Sequence, residues 1–235
     1  MRFAKAVAMV AVAAAVFGVV SAGAASAAGP RIIGGETVDS APWGAQVFWD
    51  DATDFGGFEC SGTIIAAQWV LTAQHCLNAP GMHVKVGNVA LGQGTEAAVD
   101  QQKASLSGDI ALLHLSSAVE ATFMKLGDAD PETGATNQIY GWGRTEGNNP
   151  PSDTLKTADV KVTGQGTDAF NGTAITSEGV TGASWHGDSG GPQLADGVQV
   201  GVCSTGENSG SDKNGTQNYA SVAASRDWIK QTAGV

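Results

Sequence analysis

Beyond residue 31 the hydrophobic residues of this chain come in short stretches separated by Gly, Asn, Asp and Pro, as at 45–49, 62–71, 84–86, 110–115, 138–142 and 198–203. Pieces of this length suit strands better than helices. Strands at close spacing with turn signals between them pack as a sandwich or a barrel. The 33 glycines among 235 residues fit frequent turns and argue against long helices. The residues therefore imply an all-β fold. One exception lies near the end, where residues 223–232 read as an α-helix with Trp228 and Ile229 on its buried side. No internal repeat and no low-complexity tract is visible.

The opening residues are of another kind. Arg2 and Lys5 give a positive start, residues 6–20 are apolar and uncharged, and Ala25-Ser26-Ala27 has the form of a cleavage site. This is the pattern of a secretory signal peptide. A membrane anchor would need about 20 apolar residues. Residues 1–27 are read as the signal, 28–31 as a short pro-segment, and 32–235 as a secreted, extracellular protein. The chain carries 12 Lys and Arg against 23 Asp and Glu, a net charge of −11. Arg2, Lys5 and Arg31 leave with the leader and no acid does, so the mature chain stands at −14. That charge repels polyanions and argues against nucleic acid or an anionic membrane as a partner.

Chemistry enters with Gly187-Asp188-Ser189-Gly190-Gly191-Pro192. A serine attacks a carbonyl only if one group takes its proton and another holds the developing negative charge. A glycine-rich turn can do the second, because its backbone can point the N–H groups of Gly187 and Ser189 at one oxyanion. Alone, the hexapeptide is equally well an ordinary surface turn. Upstream, Leu71-Thr72-Ala73-Gln74-His75-Cys76 supplies a proton acceptor. Gly108-Asp109 supplies a carboxylate at the start of an apolar strand.

The order His, Asp, Ser, with these flanks, resembles that of the trypsin/chymotrypsin-type serine proteases, and the chain looks like a secreted bacterial member. The resemblance runs from Ile32 to the C-terminus. It implies two six-stranded antiparallel β-barrels with a C-terminal α-helix, the barrels meeting near residues 130–137. It assigns His75, Asp109 and Ser189 as catalytic residues and the N–H groups of Gly187 and Ser189 as the oxyanion hole. Arg31-Ile32-Ile33-Gly34-Gly35 resembles the family's activation site, where cleavage by an activating protease frees the Ile32 amine to pair with Asp188. A buried ammonium needs such a partner. Cys60 and Cys76 match the disulfide that anchors the histidine loop, leaving Cys203 as a buried thiol. Gly141-Trp142-Gly143 matches a structural landmark of the second barrel.

The specificity pocket departs from the family. Ala183 stands where trypsin-like members carry an aspartate, so a basic substrate side chain would be unpaired there. Ser204-Thr205-Gly206 replaces the usual Ser-Trp-Gly, and Gln217 falls where a glycine is usual. Ser184 completes the pocket set, and Glu207 or Asp212 could reach into it from a loop unlike the family's. The expected reading is a serine endopeptidase cutting after an apolar or small uncharged residue of a protein or peptide. The alternative is a catalytically silent binding protein on the same scaffold. An esterase of another fold fits the Gly-x-Ser-x-Gly pattern but not the triad order. No His or Cys cluster has zinc spacing, so no metal or cofactor is expected. His186 is expected at the rim of the site, whereas His83 has no partner by spacing and His114 reads as a plain strand residue. Asn171-Gly172-Thr173 and Asn214-Gly215-Thr216 read as loop turns, and a monomer is the default.

Overall fold

The computed structural model describes Met1 and residues 32–235. The signal, the pro-segment and Arg31 lie outside the described residues. Two short strands, β1 (Ile33–Gly34) and β2 (Glu36–Thr37), precede a closed barrel. That barrel is built from β3 (Gly44–Trp49), β4 (Phe58–Ala66), β5 (Trp69–Thr72), β6 (Met82–Val86), β7 (Thr95–Ala104) and β8 (Ala111–Leu115), in the order β3-β4-β5-β8-β7-β6. Alternation sets which side chains face inward. In β6, Met82, Val84 and Val86 are buried while His83 and Lys85 sit half-buried on the outer side. The 62–71 stretch is not one strand. It turns at Ala67-Gln68, so that β4 and β5 pair as a hairpin.

The second barrel comprises β9 (Thr136–Gly141), β10 (Lys156–Thr167), β11 (Thr173–Gly179), β13 (Pro192–Ala195), β14 (Val198–Glu207) and β15 (Thr216–Ser221), closed by pairing of β10 with β11. Between β11 and β13, the short β12 (Gly182–Ala183) pairs with β1. All these pairings are antiparallel. The second barrel buries more polar side chains than its strand pattern suggests, among them Ser177, Gln193, Gln199 and Gln217. Lys156 occupies an inward position of β10 and is 2% exposed. After a 3-10 turn (Ala223–Ser225), the helix α1 (Arg226–Ala233) buries Ile229 and half-buries Trp228, as expected. Gly234 ends it in the left-handed conformation (φ 79°), its N–H returning to the Lys230 carbonyl. Among the described residues, no helix is long and apolar enough to cross a membrane.

Candidate active site

The first barrel holds His75 and Asp109. His75 lies in a 3-10 turn directly after β5 (Gln74–Cys76), and the Cys60–Cys76 disulfide ties that turn to β4. Asp109 sits just before β8 and is fully buried. Its Oδ2 accepts from His75 Nδ1 at 2.7 Å, and its Oδ1 accepts from the His75 backbone N–H at 2.9 Å. A carboxylate can only accept here, so the ring proton sits on Nδ1 and the Nε2 lone pair faces outward. Burial alone would raise the Asp109 pKa. The hydrogen bonds and charge of His75, with a hydrogen bond from Ser204, outweigh it and leave the carboxyl below its ordinary value.

Two neighbours of Asp109 escape a reading of the sequence. Ser204 lines the pocket wall and, in addition, its hydroxyl donates to Asp109 Oδ2 at 2.5 Å while accepting from the Ala169 N–H at 3.0 Å. The backbone donor fixes the direction of the hydroxyl, so its proton goes to the carboxylate. Asp168 was not singled out at all. Its Oδ2 accepts from the Asp109 backbone N–H at 2.8 Å, and its Oδ1 accepts from Phe170 and Gly172 in a turn where Asn171 has φ 62°. The only sequence signal for it was the Asn171-Gly172 turn that it organises.

The second barrel supplies the serine. Ser189 lies between β12 and β13, and Gly187 adopts φ +94°, a conformation open to glycine. A Cβ on Gly187 would come within 3.0 Å of Gly143 Cα. The turn is tied to the first barrel by Ser61, whose Oγ donates to the Gly187 carbonyl at 2.9 Å and whose N–H donates to the Ser189 carbonyl at 2.8 Å. His75, Gly187 and Ser189 line one cavity of about 330 Å³, together with Phe58, Glu59 and Arg144. Among the described residues, no hydrogen bond joins His75 Nε2 to Ser189 Oγ. Such contacts are often long before a substrate binds. Burial raises the Glu59 pKa, with Asp54 adding to the rise and Arg144 opposing it.

Asp188 is fully buried beneath this turn. Its Oδ1 accepts from Gly143 N–H and its Oδ2 from Trp185 N–H, both at 2.8 Å. Its fit requires Gly141 and Gly143, since a Cβ at either would fall within 2.4 Å of the carboxylate. Burial pushes its pKa up to about 7, although the two N–H donors and nearby Lys156 act the other way. Ile32 is buried in the same barrel with Ile139, Val160 and Tyr219.

A second cavity, of about 140 Å³, opens beside Ser189 between Ser184, Trp185 and His186 on one wall and Ser204, Thr205 and Gly206 on the other. Ala183 and Gln217 are not among the residues that line it, and each is 1% exposed. Glu207 and Asp212 stay exposed and do not reach it, whereas Asn208 does. His186 rims both cavities and stands edge-on to Trp185. His83 does have a partner. Its Nδ1 meets Asp50 Oδ1 at 2.7 Å, a residue far away in sequence that strand pairing brings close. His114 likewise meets Asp100 at 2.6 Å. Cys203 is a free, buried thiol whose pKa burial pushes up to about 12. Cys60, Cys76 and His75 cluster within 4.8 Å, but the two sulfurs are joined to each other and offer no thiolate to a metal.

Comparison with known proteins identifies the family and the fold. The family model described as trypsin matches residues 32–229. Trypsin iota of Drosophila melanogaster is 31% identical, with 86% of this chain and 88% of that protein covered. Trypsin delta of Drosophila erecta is 29% identical over the same shares. Among solved structures, neuropsin, a serine protease expressed in the limbic system of mouse brain, matches with a TM-score of 0.72 at 26% identity, over 85% of this chain and 98% of that one. A mutant of human heparin binding protein shares the fold, with a TM-score of 0.73 at 24% identity over 86% and 96% of the two chains. These relatives are animal proteins and do not bear on a bacterial source. With its two closed barrels, the chain belongs to the trypsin family and is a serine endopeptidase of the chymotrypsin fold.

Proposed function

We propose that the protein is a secreted endopeptidase that works through His75, Asp109 and Ser189, with Gly187 and Ser189 N–H as the oxyanion hole. The observation that carries this is the His75 imidazole, bonded to a fully buried Asp109 at 2.7 Å and opening onto the cavity that Ser189 lines. Ser189 Oγ attacks the peptide carbonyl as its proton passes to His75 Nε2. The two N–H groups hold the oxyanion, each worth about 3 kcal/mol in such sites. His75 returns the proton to the leaving amine, and water then hydrolyses the acyl-enzyme by the same route. Asp109 holds the tautomer and stabilises the imidazolium, and Ser204 and Asp168 hold Asp109 in position.

The substrate binds as an added strand. Backbone pairing on the Ser189 side of β14 ends at Cys203, so at Thr205 and Gly206 β14 is paired with β15 on one side only. That leaves an edge next to Ser189 for an extended peptide. Ala183 brings no carboxylate to the pocket, which favours an apolar or small uncharged residue before the scissile bond. Activation follows cleavage after Arg31 by another protease, the new Ile32 amine then pairing with Asp188. Both partners are already buried in one barrel.

The test uses protein cleaved after Arg31 beside its Ser189→Ala variant, with a p-nitrophenyl ester and a peptide mixture as substrates. The parent is expected to give a burst of one acyl group per enzyme and to cut peptides, while the variant does neither. Peptide cutting that survives the Ser189→Ala change would refute the assignment. Absence of any burst in the parent, with Ile32 verified as the free terminus, would favour a silent binding protein.

A further inference from the structure

The pocket beside Ser189 has a crossbar. Gln217 stands directly opposite Gly206 in the β14–β15 ladder, and Gly206 lines the cavity. A Cβ built on Gly206 would lie 3.8 Å from Gln217 Cβ and 3.4 Å from the Thr216 carbonyl oxygen, so Gly206 and Gln217 share one face of the ladder. From that wall the Gln217 side chain reaches across, and its Oε1 accepts from the backbone N–H of Ser184 at 2.8 Å. Ser184 belongs to the opposite wall of the same cavity. Only Oε1 can face an N–H donor, so the amide orientation is fixed by chemistry. The glutamine thus joins the two walls and is itself 1% exposed. Ala183, next to Ser184 in the chain, is also 1% exposed and does not line the cavity. The space between the two walls is about 140 Å³, less than half the volume of the other cavity that Ser189 lines.

We infer that Gln217 is the residue that sets specificity: it closes the pocket at mid-depth and restricts the residue before the scissile bond to short side chains such as Ala, Ser, Thr and Val. This rests on the protease reading above and narrows it, because it excludes the large apolar residues that the loss of an aspartate at Ala183 would by itself permit. The restriction comes from volume. A side chain of Phe, Tyr or Leu length would have to displace Gln217 and leave the buried Ser184 N–H without its acceptor, which is unfavourable. Long basic side chains are excluded twice, by length and by the lack of a carboxylate.

The experiment compares parent, Gln217→Gly and Gln217→Leu, each cleaved after Arg31, on peptides varied only at the residue before the cut. The parent is expected to show kcat/KM at least about tenfold higher after Ala, Ser, Thr or Val than after Leu, Phe or Tyr, the discrimination expected where whole groups do not fit. Gln217→Gly opens the pocket to Ala183 and lets water meet the Ser184 N–H, so the order should reverse toward Leu, Phe and Tyr. Gln217→Leu keeps the bulk without the amide and should retain the parent's order. Should Gln217→Gly fail to fold, the parent and Gln217→Leu profiles still decide the matter. A parent that prefers Phe, Leu or Arg overturns the inference while leaving the protease assignment intact. So does a Gln217→Gly profile identical to the parent's. A Gln217→Leu enzyme with relaxed size selection shows that the amide rather than bulk governs the pocket, and also overturns it. No cleavage by the parent on any peptide, matching Ser189→Ala, overturns the protease reading itself.

Discussion

Asp188 makes the stability of the uncleaved chain depend on pH. Folded, this carboxyl is fully buried and titrates near 7; unfolded, it returns to its ordinary value of 3.8. Below about pH 4 both states hold the proton and the group contributes nothing. Between pH 4 and 7 the unfolded chain releases its proton while the folded chain keeps it, so stability falls as pH rises, and the loss is complete above about pH 7. A span of about three pH units at about 1.36 kcal/mol each gives a loss of about 4 kcal/mol. Under the proposed activation, cleavage after Arg31 would place an ammonium at Ile32 beside Asp188, which favours the ionised form and removes most of the loss. The assay is urea unfolding followed by tryptophan fluorescence from pH 4 to pH 8, on a Ser189→Ala background that prevents autolysis. Uncleaved protein is expected to lose about 4 kcal/mol across this range, and cleaved protein less than half as much. Adding Asp188→Asn should flatten this component in the uncleaved chain. The comparison also subtracts Glu59, whose raised pKa contributes in the same direction in every variant. Parallel pH curves for the uncleaved protein with and without Asp188→Asn would refute the reasoning.

Other consequences are as direct. Ser204→Ala removes a hydrogen bond to the Asp109 carboxylate. It should lower kcat about tenfold with little change in KM, a loss of order 1.5 kcal/mol. The Asp109 pKa should rise as well, because that bond is among those holding it down. Gly141→Ala would place a methyl 2.1 Å from Asp188 Oδ1. Thermal unfolding should show at least about 2 kcal/mol of destabilisation, and activity should fall with it. Replacing Cys60 and Cys76 by serine opens a link with a sequence separation of 16. It should cost about 3 kcal/mol in urea titrations. Gln217→Leu loses the Ser184 bond but also removes a buried Nε2 that has no partner among the described residues. Its unfolding free energy should stay within about 1 kcal/mol of the parent.

Local signals carried much of this protein. Period-two alternation in strands such as β6, the Gly-rich serine turn, the His75-Cys76 pair and the helix near the C-terminus are each written in a few adjacent residues, and physical rules convert them directly into structure. The Cys60–Cys76 disulfide was legible through the resemblance of its flanking motifs to the family's, as was the order of His75, Asp109 and Ser189. Sequence also showed that Ala183 brings no carboxylate where the resembled family's trypsin-like members carry one. Tertiary structure decided what depends on residues far apart in the chain. Ser204 meets Asp109 across 95 residues, and Asp168 meets it across 59. His83 finds Asp50 only because β3 and β6 are neighbours in a closed barrel. Gln217 could be placed near the pocket from sequence, but whether it pointed in, out or across depended on the register of β14 against β15, where a bulge between Cys203 and Thr205 shifts the pairing. In a strand a shift of one residue turns a side chain to the opposite face. Local sequence therefore specifies which groups are present and how each strand alternates, whereas closure of the two barrels determines which of those groups meet.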